Sequence, residues 1–172
     1  MQKIILLSGY SGAGKDTVAD ILVEHHGYLK LALAGPIKTG LASVTDLTLE
    51  QIEVLKNNPD SQVRLALQTL GQVACEVDPL HWCKMVSARI NGSFIEKFVI
   101  SDVRKVTEAE YFEDHFPLTL LWGIYRDSIN LSLPKFQHQV ELEVPLLREM
   151  ADDMLDNNGT LEDLRGEVRA II

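Results

Sequence analysis

The sequence predicts a parallel α/β fold, a five-stranded sheet with helices on both faces. Three observations carry this. Short apolar runs alternate with longer stretches whose apolar positions recur every three or four residues, the pattern of strands joined by helical crossovers. The first run, residues 3–8, is continuously apolar, as a strand buried on both faces requires. It leads directly into GYSGAGKDT, residues 9–17, which puts three glycines and a lysine between strand and helix.

The elements follow in order. Residues 16–26 read as a helix with Val18, Ile21 and Leu22 on one face, stopped by Gly27. YLKLAL, 28–33, alternates and predicts a second strand. AGPIKTGLASV then carries Pro36 in a first helical turn. A helix over 48–56 has Thr48 as its cap and Glu50 and Glu53 near its positive end. NNPDS, 57–61, is turn chemistry. From Ser61 the positions Val63, Leu67, Leu70, Ala74 and Val77 form an apolar helical stripe. A further helix begins at Asp78-Pro79, with Leu80, Cys83, Val86 and Ile90 in register. KFVIS, 97–101, is a strand ending at Asp102. Thr107 and Glu110 suggest a capped helix over 107–115. LTLLWGIY, 118–125, is a strand ending at Arg126. Residues 127–147 mix alternation with Pro134 and Pro145 and read as a mobile or partly helical insertion. A last short strand over 153–157 precedes a helix capped by Thr160 and Asp163, with Leu161, Leu164, Val168 and Ile171 inward.

The 172 residues suit one domain with a sizeable core. The formal charge of -9, from 16 basic and 25 acidic residues, makes nucleic acid an unfavourable partner. A small anion remains acceptable where local cations and amides gather. Cys75 and Cys83 lack metal-ligand spacing and read as reduced thiols. The apolar runs are too short for a leader or a membrane span, so the expectation is a soluble, cytoplasmic protein. His138 and Glu141 form H-x-x-E without the second histidine of a zinc protease. His25 and His26 suit a helix C-terminus, and Trp82 and Trp122 suit the core.

Gly9-Tyr10-Ser11-Gly12-Ala13-Gly14-Lys15 fits G-x-x-x-x-G-K in the right strand-to-helix setting. Such a loop turns backbone N–H groups inward around a polyphosphate, and the helix that follows adds its positive end. Side chains would block that approach, hence the glycines. Lys15 would reach the β- and γ-phosphates of ATP. The next position, where a hydroxyl usually meets Mg²⁺, is Asp16, with Thr17 after it. A carboxylate is also a hard oxygen ligand, so Asp16 is a metal candidate. Asp102, at the end of a central strand, is a second one, or else a contact to the acceptor. Its structural alternatives are a helix cap or a pairing with Arg104. Arg104 could bind an acceptor phosphate, and Arg126 is the leading candidate for a cation supplied late to the transferring group. Ligands of such sheets sit past the carboxyl ends of the strands, where the glycine turn, Asp102 and Arg126 all fall.

Five stretches together resemble the bacteriophage-type deoxynucleoside monophosphate kinases: LSGYSGAGKDT, LALAGPIK (31–38), RLALQTLGQVACEVDPLHW (64–82), ISDVRKVTEAEYF (100–112) and DNNGTLEDL (156–164). The resemblance implies a P-loop kinase fold, a single domain over 1–172, with an acceptor-binding helical region over about 35–95 and a lid region over about 126–147. It implies transfer of the γ-phosphoryl of ATP to a deoxynucleoside monophosphate, with Mg²⁺. By resemblance, Gly9, Ser11, Gly12, Ala13, Gly14, Lys15, Asp16 and Thr17 bind ATP. Lys38, Arg64, Gln68 and Arg104 face the acceptor, and Lys15, Asp102, Arg104 and Arg126 are the catalytic candidates. Members are often dimers, which leaves a homodimer open. Where members often carry an arginine within an LGT segment, this chain reads LGQVACEV, which leaves the acceptor's identity open; the chain is also short for the family, which implies a trimmed acceptor-binding region. Other acceptors keep the same loop: dephospho-coenzyme A, phosphomevalonate, or a hydroxymethylated base in DNA. A nucleotide-dependent switch without transfer is the alternative outside enzymes. Arg64, Arg104 and Arg126 tell against it, because a switch needs no second phosphate site.

Overall fold

Ile4, Ile5, Leu6 and Leu7 are all fully buried, and the fold follows from where alternate side chains go. In a strand successive side chains point to opposite faces. Ile4 and Leu6 therefore enter one core and Ile5 and Leu7 another, which is why the run is continuously apolar. At about 1.5–3 kcal/mol for each large apolar side chain buried, this one strand contributes several kcal/mol to the fold.

The computed structural model describes residues 1–58, 61–129 and 142–172. Five strands, β1 (Lys3–Ser8), β2 (Leu29–Leu31), β3 (Lys97–Ile100), β4 (Leu118–Tyr125) and β5 (Asp153–Asp156), form one sheet in the order β2-β3-β1-β4-β5. Every pairing is parallel, with Leu6 opposite Ile100 and Leu121 on its two sides. On one face α1 (Lys15–His26) and α8 (Leu161–Ile171) pack Val18, Leu22, Leu164 and Val168 against Ile5, Leu7, Trp122 and Leu155. On the other face α5 (His81–Asn91), α6 (Val106–His115) and α7 (Val144–Met150) set Val86, Ile90, Phe112 and Leu147 against Ile4, Leu6, Phe98 and Leu121. Between β2 and β3 come α2 (Ala34–Val44), α3 (Leu49–Leu55) and α4 (Gln62–Val77).

The local signals behave as their chemistry requires. Gly27 ends α1 in the left-handed conformation, its N–H on the Leu22 carbonyl. Thr48 with Gln51 and Thr160 with Asp163 form reciprocal capping boxes.

The apolar stripe of α4 forms a helix as its spacing requires, but no α4 residue is fully buried and Val77 is 85% exposed. Its neighbours include α2, α3 and α5, and the Trp82 indole donates to the Gly71 carbonyl at 3.2 Å. Two expectations need correction. Helix α6 starts at Val106 and is capped by Glu108, which accepts from the N–H groups of Arg104 and Lys105 at 2.9 and 3.1 Å. Thr107 is thus inside the helix, because the carboxylate satisfies the free amides one step earlier. Finally, Val144 and Leu147, read from sequence as part of the insertion, are core residues of α7. Pro145 lies in the first turn, where its missing N–H costs nothing. Residues 130–141, the rest of the expected lid, lie outside the described residues, as do 59 and 60. No described helix is long and apolar enough to cross a membrane.

Candidate active site

β1 ends at Ser8 in the centre of the sheet, and the next six residues make the turn into α1. Gly9, Gly12 and Gly14 have φ of 148°, 89° and 106°, values that L side chains rarely adopt. At Gly9 space is also decisive, since a Cβ there would run into the Ile124 carbonyl oxygen. Ala13 is buried and its N–H donates to the Tyr10 carbonyl at 3.0 Å, closing the turn. Gly14 is the N-cap of α1, whose backbone ladder begins with the Val18 N–H on the Gly14 carbonyl at 3.0 Å. The Lys15 ammonium arcs back over the loop and donates to the carbonyls of Gly9 and Tyr10 at 2.6 and 3.0 Å. A cation, a helix N-terminus and a side-chain-poor turn therefore converge at one point, the arrangement of an anion cradle. We expect Gly9→Ala to cost about 2 kcal/mol or more and to displace the loop, as backbone strain and a steric clash add. Urea denaturation and ATP affinity would both register it.

Asp16 is exposed, and Lys30 of β2 bridges it to Asp20 one turn further along α1, at 2.9 Å to each. Burial pulls the Lys30 amine down, but the two carboxylates outweigh it and hold it above its ordinary value. Thr17 is exposed beside them in the first turn.

Asp102 leaves the end of β3 and reaches across to the start of α2. One carboxylate oxygen accepts from the Leu33 N–H at 2.7 Å and the other from the Ala34 N–H at 3.0 Å. Leu33, the N-cap of α2, offers no capping side chain, so Asp102 supplies the cap from 69 residues away. This is the structural alternative that the sequence raised. Burial pushes the Asp102 carboxyl above the usual carboxylate range, and the two amides with Arg104 and Lys38 pull against that. Glu108 is pushed up as well, first by burial and further by Asp102.

Arg104, Lys38 and Asp102 thus share one neighbourhood past the ends of β2 and β3. Glu143, just ahead of α7, accepts from the Val106 N–H at 2.8 Å, so two carboxylates, Glu108 and Glu143, hold the backbone from Arg104 to Val106. Lys38 reaches Glu53 of α3 at 2.6 Å. Lys56 also pairs with Glu53. Burial would raise the Glu53 carboxyl, but the two ammonium groups leave it below its ordinary value. Arg64 and Gln68 sit four residues apart on one exposed side of α4. Arg126 is exposed directly after β4. Arg148 of α7 stacks over the Tyr125 ring at 5.6 Å. Asn157 was missed by sequence reading: its side-chain amide donates to the Ala13 carbonyl at 2.8 Å. Among the described residues no group of three or more His, Cys, Asp and Glu is gathered as a metal cluster.

A central strand, a glycine cradle, a lysine-bearing helix N-terminus and an all-parallel five-stranded sheet define the class of P-loop kinases. Solved structures agree on the fold. Shikimate kinase from Acinetobacter baumannii in complex with shikimate aligns with a TM-score of 0.57 at 16% identity, covering 99% of this chain and 91% of that one. TT1252 from Thermus thermophilus aligns with a TM-score of 0.57 at 18% identity, covering 99% and 96%. Dephospho-CoA kinase from Campylobacter jejuni aligns at 0.50 and 14%, covering 99% and 96%. Residues 7–118 match the model of the family described as phosphomevalonate kinase, and the chain belongs to that family. A 40-residue stretch is 50% identical to the deoxynucleotide monophosphate kinase of Enterobacteria phage T4, covering 23% of this chain and 17% of that protein.

Proposed function

We propose that this kinase transfers the γ-phosphoryl group of ATP to the phosphate of a deoxynucleoside monophosphate. The observation that supports the acceptor is the 50% identity over 40 residues to the phage T4 deoxynucleotide monophosphate kinase. The placement of basic groups is consistent with it. Lys38 and Arg104 flank Asp102 beyond β2 and β3, and Arg64 lies on α4 of the helical region. On this reading they receive the acceptor's phosphate.

An acceptor phosphate oxygen attacks the γ-phosphorus in line. The bond from that phosphorus to the bridging oxygen breaks, and ADP leaves with the electron pair. The loop amides and Lys15 hold the β- and γ-phosphates, and Lys15 exchanges its two backbone carbonyls for phosphate oxygens. Arg126 supplies a further cation near the transferring group. Mg²⁺ offers charge neutralisation at the phosphates, and the residues fit an ion held mainly by phosphate and water oxygens. Asp16, in the first turn of α1, would be a hard oxygen donor for it and would exchange Lys30 for the ion. Asp102, with both oxygens on backbone amides, would act on the metal only through water.

A second acceptor is favoured by the family match over residues 7–118, namely phosphomevalonate, which also presents a phosphate monoester. The test is ADP formation with ATP plus, in turn, dGMP, dTMP, dCMP, dAMP, phosphomevalonate and dephospho-coenzyme A. We expect at least one deoxynucleotide to raise turnover about 10³-fold over water, on the scale that positioning supplies. Turnover with phosphomevalonate alone would transfer the proposal to that acceptor. ADP release indifferent to every acceptor would sink the kinase reading of the site.

A further inference from the structure

Asn157 follows β5, and its backbone N–H is fixed on the Tyr125 carbonyl at 3.0 Å. The turn around it is tied down from several sides. Asp156 accepts from the Tyr125 hydroxyl at 2.8 Å and from the Asn158 N–H at 2.8 Å, and Asn158 accepts from the Asp127 N–H at 2.8 Å. From this anchored position the Asn157 side-chain amide crosses to the phosphate loop, 144 residues away in sequence, and donates to the Ala13 carbonyl at 2.8 Å. The approach depends on Gly14: a Cβ there would collide with the Asn157 Nδ2 atom. Gly14 is thus needed twice, for its φ of 106° and for the room it leaves.

The Ala13 carbonyl and the Gly14 N–H belong to one planar trans peptide and point in opposite directions. Whatever holds the carbonyl therefore aims the amide. We propose that Asn157 is a positioning residue of the phosphate loop: it turns the Ala13 carbonyl outward, toward β5, so that the Gly14 N–H is presented to bound polyphosphate. An unrestrained peptide in a glycine-rich turn can flip and offer a carbonyl oxygen to the anion instead. The amide of asparagine suits this task because it donates without adding charge. A carboxylate of the same shape would face the carbonyl with an acceptor and repel the polyphosphate. The assignment rests on the reading of Gly9 to Thr17 as a polyphosphate cradle.

Calorimetric titration with inorganic tripolyphosphate, together with KM for ATP and for the acceptor, tests it in Asn157→Ala, Asn157→Asp and Lys15→Ala. Tripolyphosphate affinity should fall about tenfold in Asn157→Ala and further in Asn157→Asp, the energy of one lost hydrogen bond and then of an added repulsion. KM for ATP should rise in step while KM for the acceptor stays put. A space-filling role alone would leave Asn157→Asp close to the unmodified protein, and that result overturns the assignment. Loss of affinity in Lys15→Ala with none in Asn157→Ala overturns it too, yet leaves the cradle standing. No loss in any of the three overturns the cradle and this assignment together. Should the Asn157 variants not fold, amide NMR of the unmodified protein decides. Tripolyphosphate should shift the Gly14 N–H resonance downfield, and a resonance that stays in place refutes the role.

Discussion

Lys15→Ala is expected to lower kcat/KM for phosphoryl transfer by about 10³-fold or more while the fold survives. The size follows from what the ammonium does. It is the cation built into the cradle, and stabilising charge that develops on a transferring phosphoryl group is worth several kcal/mol when the groups are already in place. The fold survives because the side chain's bonds to the Gly9 and Tyr10 carbonyls lie at a part-buried rim, where those carbonyls can turn to water. The stability cost should be about 1 kcal/mol. Lys15→Arg is not a rescue, since a planar fork cannot follow the same arc over the loop. The check is the coupled ADP assay beside thermal melting. Near-normal turnover with an intact fold would remove Lys15 from the chemistry.

Asp102→Ala should have the largest effect on stability among the site residues, about 3 kcal/mol. It strips the cap from α2 and leaves the Leu33 and Ala34 amides without an acceptor at a part-buried helix start. Asp102→Asn keeps one acceptor oxygen and should cost about half as much. The pH dependence separates the two contributions. Burial raises the Asp102 carboxyl in the folded protein, so the native state binds its proton more tightly than the unfolded chain does. Such a group contributes most below its unfolded value of about 4, and that contribution is lost as pH rises through the folded value. Glu108 carries the same sign and is raised in part by Asp102 itself. In Asp102→Asn the first of these slopes disappears and the second shrinks. Urea denaturation from pH 4.5 upward should therefore show a flatter profile for the Asn variant. An identical slope would mean that Asp102 is not the titrating group.

The ends of α1, α3 and α8, the strand positions and the phosphate loop were legible because each is a local agreement between residue types. Thr48 and Gln51, Thr160 and Asp163, and Gly27 after α1 satisfy backbone groups within a few residues of themselves. Glycines at 9, 12 and 14 followed by Lys15 announce the cradle in the same way. The helical stripe of α4 gave the helix but not its burial, because periodicity reports that a face is apolar, not what covers it: no α4 residue is fully buried, and Val77 stays exposed. Pro145 misled because a proline in a first turn and a proline in a loop read alike.

From the sequence alone came the order of strands and helices and the polyphosphate loop, because these depend on neighbours along the chain. The tertiary structure decided which distant group meets which amide: Asp102 on α2, Glu143 on the Arg104 loop, Asn157 on Ala13. Those contacts join residues 69, 37 and 144 positions apart. They form only once parallel pairing has brought the carboxyl ends of the strands to one edge, where single polar side chains can reach backbone that no local partner satisfies.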